Sequence, residues 1–176
     1  IGSLLFLALN TRPDILHPTI FLSRFNQTPK RKHWEAAKRI VRYLSGTREM
    51  GLEYQQQSTS NIDIQAYSDA SWESASADCL STTGIAIFVN NCLVIAKSAR
   101  QKSTALSTCE AEFLAAADCI RELKWLKGLL NELGLVTNIT QLFIDNKPTI
   151  QSIKSESYKS GLKHIKIRYA FVTQEY

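Results

Sequence analysis

The longest regular pattern in the sequence is helical, and it lies between segments that have the patterns of β-strands. Residues 105–133 repeat apolar side chains at helical spacing, with Ser107 and Thr108 as candidate N-caps and Gly134 as the C-cap. A helix that connects two strands of one sheet is a crossover, and crossover connections join parallel strands. This feature therefore predicts an α/β domain that contains a parallel strand pair.

Four segments have the composition and periodicity of β-strands. Asn90-Asn91 separates the second from the third, and this pair tolerates the positive φ of a tight hairpin turn. A helix from about Pro148 follows the last strand. The order predicts a mixed sheet flanked by helices, with an antiparallel hairpin and a parallel pair. The predicted strands are residues 62–69, 83–89, 92–98 and 141–145.

The first 54 residues have a different, mostly helical pattern. Apolar runs interrupted by Pro13 and Pro18 indicate short helices over residues 3–25. Residues 30–44 indicate an amphipathic helix that ends near Gly46. Its apolar side is predicted to be Trp34, Ala37, Ile40, Val41 and Leu44, with Lys38, Arg39 and Arg42 on the other side.

A polar segment without periodicity, residues 55–61, indicates a linker between two domains. We therefore expect a helical segment over residues 1–54 and the α/β domain over residues 62–176. The sequence begins at Ile1 and ends inside a helical pattern, so we expect it to be a fragment of a longer polypeptide.

The composition is that of a folded chain, with 44% hydrophobic and 21% charged residues among 176. Its net charge of +5 fits a polyanionic partner such as nucleic acid, and it fits a basic soluble protein equally well. No apolar run is long enough to predict a membrane span. The four cysteines lack metal-ligand spacing, which favours buried thiols in a reducing compartment and a protein that is not secreted.

Acidic residues stand where predicted elements begin or end. Asp69 ends the first strand and Asp145 the last, so the two side chains meet if these strands are adjacent and parallel. The long helix packs across the sheet and can bring a glutamate to the same point. Converging carboxylates repel one another unless cations neutralise them, and hard oxygen ligands suit Mg²⁺ or Mn²⁺. Two such ions about 3.5–4 Å apart can hold the attacking water and leaving oxygen of a phosphodiester.

Two alternatives stay open at this point. Taken singly, an acid after a strand is commonly a turn residue, and a glutamate in a first helical turn commonly complements the helix dipole. Glu110 and Glu112 point about 200° apart on a helix, so only one of them can join the two aspartates. We favour Glu112, because it shares a face with Ala115, Ala116 and Cys119, and we expect Glu110 to be exposed.

These residues and their surroundings resemble the ribonuclease H domain of copia-type retrotransposons. The three core motifs are Asp69, residues 112–116 and residues 144–146. Longer similar stretches are residues 67–72, 81–84, 106–113 and 163–169. Upstream, residues 11–15 and 33–47 resemble the segment that connects the polymerase of that family to its nuclease.

The resemblance implies a ribonuclease H-like fold and metal-dependent hydrolysis of the RNA strand of RNA–DNA hybrids during reverse transcription. Asp69, Glu112 and Asp145 would be the catalytic ligands of two Mg²⁺ or Mn²⁺ ions, and His164 would be a catalytic residue on a mobile segment. A histidine of a surface loop is the alternative for His164. The implied partners are the hybrid and the rest of the reverse transcriptase polypeptide, in a cytoplasmic virus-like particle with nuclear access and without a membrane.

One position departs from the family pattern. The family has an acid two residues after the histidine, and Lys166 stands there in this chain. A lysine removes a metal ligand and adds a competing cation. The alternative function is therefore a catalytically inactive remnant of the same fold that binds nucleic acid. A DNA exonuclease or integrase of similar fold is a third hypothesis.

Two basic runs flank the predicted site and predict contacts with the hybrid backbone, recognised by shape and 2′-hydroxyl groups. The alternative is a solvated charged surface. The tryptophans, Trp34, Trp72 and Trp125, are expected to pack in the cores. The candidate nucleic-acid-binding residues are Lys97, Arg100, Lys102, Ser107, Thr108, Asn146 and Lys163.

Overall fold

The computed structural model describes residues 1–55, 61–72 and 80–155, and the side chains of residues 154 and 155 are outside this description. The chain divides into two compact units, Ile1–Gln55 and Gln56–Tyr176. Most of the predicted linker lies outside the described residues. No helix within the described ranges is long and apolar enough to cross a bilayer.

The first unit consists of short helices, as the sequence predicts. The helices are α1 (Gly2–Asn10), a 3₁₀ turn (Pro13–Ile15), α2 (Leu16–Ser23) and α3 (Arg31–Gly46). Leu4, Ile15 and Leu22 are buried in its core. Arg12 is buried beside Asp14, with 2.7 Å between Nη2 and Oδ2, and Nη1 donates to the Thr47 carbonyl. A buried charge is stable here because its hydrogen-bonding groups have partners.

The prediction of which residues form the apolar side of α3 is wrong in part. Ile40 is buried, but Trp34 is 65% and Val41 55% exposed. Trp34 and Val41 are seven residues apart and therefore share one face of α3, whereas the buried Ile40 lies about 100° around the helix from Val41. A single short unit has too few neighbouring elements to cover both faces of α3.

The second unit is a mixed α/β structure with one four-stranded sheet. The sheet order is β3-β2-β1-β4, in which β1 is antiparallel to β2 and parallel to β4. The predicted mixed sheet is therefore confirmed. The observed ends of its strands differ from the predicted ends by a few residues. The elements are β1 (Ile64–Ser71), β2 (Thr82–Val89), β3 (Cys92–Arg100), α4 (Thr108–Glu132), β4 (Gln141–Ile144) and α5 (Lys147–Ser155).

The core of this unit lies between α4 and one face of the sheet. Ile64 and Ala66 of β1 are buried with Cys119 and Leu123 of α4, and Ile87 of β2 belongs to the same cluster. The helix presents a run of buried small residues, 115–117, which lets its backbone approach the strands closely. Burial raises the pKa of the Cys119 thiol to about 12, so this thiol is inert. Cys92 and Cys109 are also free thiols, and Cys79 lies outside the described residues.

The prediction that the tryptophans pack in cores is wrong. Trp125 is 61% exposed and Trp72 is 40% exposed, like Trp34 in the first unit. On α4 the buried line runs through Leu123, Leu126 and Leu130, and Trp125 projects about 200° from Leu123. The indole N–H of Trp72 donates to the carbonyl of Ala105, so this ring is held by its polar edge.

The hairpin turn adopts the conformation that the sequence predicts. Asn90 has φ 49° and Asn91 has φ 63°, and both values lie in the left-handed region. A two-residue turn with two positive φ angles matches the twist of the flanking strands. The side-chain oxygen of Asn90 accepts from the Asp63 amide at 2.9 Å, which ties the turn to the start of β1.

Replacing Asn91 tests this turn. We expect Asn91→Val to lower the free energy of unfolding by about 1–2 kcal/mol, because a β-branched residue is strained at positive φ. Asn91→Gly is the control, since it also removes the side chain but adopts this φ freely. Urea denaturation measures both, and an equal loss for the two variants would contradict a conformational origin.

Candidate metal centre

Parallel pairing brings Asp69 and Asp145 to the same edge of the sheet. Ser68 of β1 is in register with Ile144 of β4, so the next residues, Asp69 and Asp145, are neighbours. β1 continues to Ser71, and Asp69 therefore lies inside the strand and not at its end as predicted. Both aspartates are exposed.

Glu112 of α4 completes the cluster. Carboxylate oxygens of Asp69, Glu112 and Asp145 all lie within 4.8 Å of one another. Glu112 is only 6% exposed, and its Oε1 accepts from the Ala70 amide of β1 at 3.1 Å. Its Oε2 is buried with no hydrogen-bond partner among the described residues. A buried carboxylate oxygen without a donor is costly, and a bound cation would satisfy it.

The electrostatics of this cluster are unfavourable for three free carboxylates. Burial raises the pKa of Glu112 to about 7, the Ala70 hydrogen bond opposes this shift, and the charges of Asp69 and Asp145 add to it. The metal-free cluster therefore favours a protonated Glu112 at pH values where an isolated glutamate is ionised. Three converging carboxylates are hard oxygen ligands, and this donor set fits Mg²⁺ or Mn²⁺.

Glu110 does not join the cluster, and the prediction that it is exposed is wrong. It is 5% exposed, and its Oε2 accepts from the Leu106 amide at 2.8 Å. The Ser107 hydroxyl oxygen accepts from the Glu110 amide at 3.1 Å. Ser107 is thus the N-cap of α4, and the Glu110 carboxylate satisfies the amide of Leu106, one residue before the amide that a capping box uses.

Thr149 is a buried residue of this region that the sequence did not single out. Its hydroxyl lies 2.9 Å from Asn146 Oδ1 and 3.2 Å from the Cys109 carbonyl. Asn146 Oδ1 also accepts from the Thr149 amide, which caps α5 directly after Asp145. Thr149 therefore fixes the start of α5 against the first turn of α4. The Asn-x-x-Thr spacing was the available signal.

The predicted nucleic-acid-binding residues fall into separate places. Lys97, Arg100 and Lys102 line a cleft of about 270 Å³ between β3 and α4. Lys97 Nζ is 2.6 Å from Glu122, so its charge is already paired. Thr108 is exposed at the start of α4 and Asn146 is half-buried. His164, Lys163 and Lys166 lie outside the described residues.

Comparison with known proteins identifies the family. The chain is 36% identical over 174 residues to the retrovirus-related Pol polyprotein from transposon TNT 1-94 of Nicotiana tabacum, across 99% of this chain and 13% of that protein. It is 35% identical over 176 residues to the one from transposon RE1 of Arabidopsis thaliana, 12% of that protein. This chain is homologous over nearly its whole length to copia-type retrotransposon Pol polyproteins.

The Pol segment aligns with the C-terminal region of these polyproteins and spans about an eighth of their length. It is also 35% identical over 126 residues to secreted RxLR effector protein 161 of Plasmopara viticola, across 72% of this chain and 87% of that protein. No protein-family model matches the chain.

The pH dependence of stability tests the environment of Glu112. In metal-free buffer we expect the wild-type stability to fall as pH rises from about 4.5 to about 7, because the folded state keeps a proton that the unfolded chain has released. Glu112→Gln retains an acceptor for the Ala70 amide and has no titrating group. Thermal unfolding should show this variant gaining stability relative to wild type across that range.

Glu132→Gln is the matched control, since Glu132 is exposed on the same helix. The comparison of the two variants isolates what Glu112 adds to the pH dependence of the melting temperature. If the melting temperatures of wild type and Glu112→Gln change in parallel with pH, the pKa of the Glu112 carboxyl is not raised by folding.

Proposed function

We propose that the second unit of this Pol segment is a ribonuclease H that cleaves the RNA strand of RNA–DNA hybrids. The observation that carries this proposal is the convergence of Asp69, Glu112 and Asp145 at one edge of a mixed sheet. Homology to copia-type Pol polyproteins supports it, because the three residues occupy the motif positions that resemble the nuclease of that family. The unit would act as part of the longer polyprotein.

The three carboxylates would hold the divalent cations, proposed to be two Mg²⁺ or Mn²⁺ ions. Cations bound there would lower the pKa of a coordinated water and neutralise negative charge that develops at the phosphate. The protein's own contribution is positioning. The Ala70 amide holds Glu112 Oε1, which orients the unpartnered Oε2. Sheet register holds Asp69 beside Asp145.

Substrate contacts are proposed on both sides of the carboxylates. Arg100 and Lys102 would approach phosphates from the β3 side, and the exposed Thr108 hydroxyl would add a contact at the start of α4. Ser107 already caps its helix and Lys97 already pairs with Glu122, so we assign them smaller contributions. His164 and Lys163 remain in the proposal on the family resemblance alone.

A cleavage assay on an RNA–DNA hybrid with labelled RNA tests the activity. In Mg²⁺ or Mn²⁺ we expect Asp145→Asn to slow cleavage by about 100-fold or more, because losing a metal ligand removes several kcal/mol of transition-state stabilisation. Asp118→Asn is the control, since Asp118 is a half-buried acid of α4 paired with Arg121. Equal cleavage rates for Asp145→Asn and wild type would contradict a part for the carboxylates in the mechanism.

Lys166 motivates a second candidate, the catalytically inactive remnant. It stands where the family has an acid, and an ammonium group near the carboxylates would compete with metal. Under this alternative the wild-type chain binds hybrid without cleaving it, and Lys166→Asp gains cleavage. Cleavage by the wild-type chain that Asp145→Asn abolishes would exclude this alternative.

A further inference from the structure

Four buried polar residues lie at the end of the β2–β3 hairpin that is remote from its turn. Ser81 precedes β2, Thr82 and Thr83 begin it, and Gln101 directly follows β3. Each of them is at most 5% exposed. A buried polar side chain is costly unless it has hydrogen-bond partners, so its contacts indicate what it holds in place.

Gln101 connects this hairpin to α4. Its backbone amide donates to the Ser81 carbonyl at 2.8 Å and extends the pairing of β2 with β3 by one residue. Its side-chain Nε2 donates to Thr83 Oγ1 at 3.1 Å and to the Ala111 carbonyl of α4 at 2.9 Å. A carbonyl oxygen only accepts hydrogen bonds, so the Ala111 contact determines which end of the Gln101 amide faces the helix.

The Ala111 carbonyl belongs to the residue directly before Glu112. The Glu112 side chain itself contacts β1, where its Oε1 accepts from the Ala70 amide. Hydrogen bonds from Gln101 and from β1 thus reach consecutive residues of α4. Together they limit sliding of the helix along its axis and rotation about it, the two movements that would displace the Glu112 carboxylate from the two aspartates.

Apolar contacts hold α4 against the sheet but define this turn less closely. The main apolar cluster reaches α4 at Cys119, about 10 Å along the helix from Glu112. Two smaller clusters lie nearer, and Phe113 and Ala111 are their members next to Glu112. Hydrophobic contact is non-directional, whereas hydrogen bonds weaken steeply when they are misaligned. The bond from Gln101 therefore contributes alignment that packing does not.

We propose that Gln101 is a positioning residue of the carboxylate cluster, which acts through the Ala111 carbonyl to hold Glu112 where it can share a divalent cation with Asp69 and Asp145. This inference rests on the proposed metal binding and names a residue outside the cluster on which that binding depends. Gln101 is 5% exposed, so it acts through the protein and not by contact with substrate. Replacing residues that orient metal ligands typically lowers metal affinity by about 10–100-fold.

A purely structural anchor of α4 is the competing role for Gln101. Loss of such an anchor would lower the melting temperature, but the folded protein would bind metal as the wild type does. Loss of a positioning residue changes the metal affinity of the folded protein. Binding measured well below the melting temperature therefore separates the two roles.

Gln101→Met tests the proposal, because methionine is similar in length and has no hydrogen-bond donor. The intact 176-residue chain is titrated with Mn²⁺, and unbound Mn²⁺ is measured by its electron paramagnetic resonance signal. We expect the variant to bind Mn²⁺ about tenfold or more weakly than wild type. Ile87→Val is the matched control, since it lowers stability by removing part of a side chain in the main apolar cluster. It should bind Mn²⁺ as wild type does.

Hydrogen exchange of the Ala70 amide provides a second measurement that requires neither metal nor activity. This amide donates to Glu112 Oε1 in the wild type. In metal-free Gln101→Met it should exchange several-fold faster than in wild type or Ile87→Val, because its acceptor is held less closely. Heteronuclear NMR follows this amide individually.

Thr83→Val is a second, milder variant. It leaves Gln101 in place and removes the hydroxyl that the Gln101 amide contacts, so we expect smaller changes in the same direction for both measurements. If Gln101→Met does not fold, Thr83→Val decides the proposal in its place.

The two measurements also separate this proposal from the proposed function. If the wild-type chain binds no Mn²⁺, the metal-dependent function fails, and the Ala70 amide still shows whether Gln101 positions Glu112. Wild-type Mn²⁺ affinity and wild-type Ala70 exchange in the variants would overturn the proposal. Weaker Mn²⁺ binding with unchanged Ala70 exchange would overturn it as well, since Glu112 would then be held as before.

Discussion

The hydrogen bond from the Ala70 amide to Glu112 joins the hydrophobic core of the second unit to its acidic cluster. It requires α4 to lie close to β1, and the buried alanines before Cys119 make that approach sterically feasible. The same contact removes a carboxylate from water and directs it towards two aspartates. Packing therefore determines the chemistry of the site, because any change that moves α4 outward also separates the three carboxylates.

The cluster is unfavourable by itself, and this is consistent with a function in metal binding. Desolvation raises the pKa of Glu112 to about 7, so the metal-free protein loses stability as it becomes ionised. A cation bound between the carboxylates would reverse that balance. The charge is unevenly distributed, since the unit that carries the carboxylates is neutral and the first unit carries the positive excess.

Much of the second unit could be predicted from local patterns. The Asn90-Asn91 turn and the crossover through α4 determine which strands pair, and the parallel pair then brings Asp69 to Asp145. Burial was harder to predict, because periodicity does not show which of several apolar helix faces meets a neighbour. Trp34 and Trp125 were assigned to cores for this reason. Glu110 was taken as exposed although Ser107 three residues earlier matches a capping box.

Anomalous diffraction from crystals soaked in Mn²⁺ tests most directly whether the three carboxylates hold metal. The account predicts an anomalous peak at about 2.1 Å from oxygens of Asp69, Glu112 and Asp145, the distance expected for a small divalent cation bound by oxygen. Glu112 Oε2 should be among the ligands. A difference map without a peak between these residues at saturating Mn²⁺, or a Glu112 side chain that turns away from both aspartates, would contradict it.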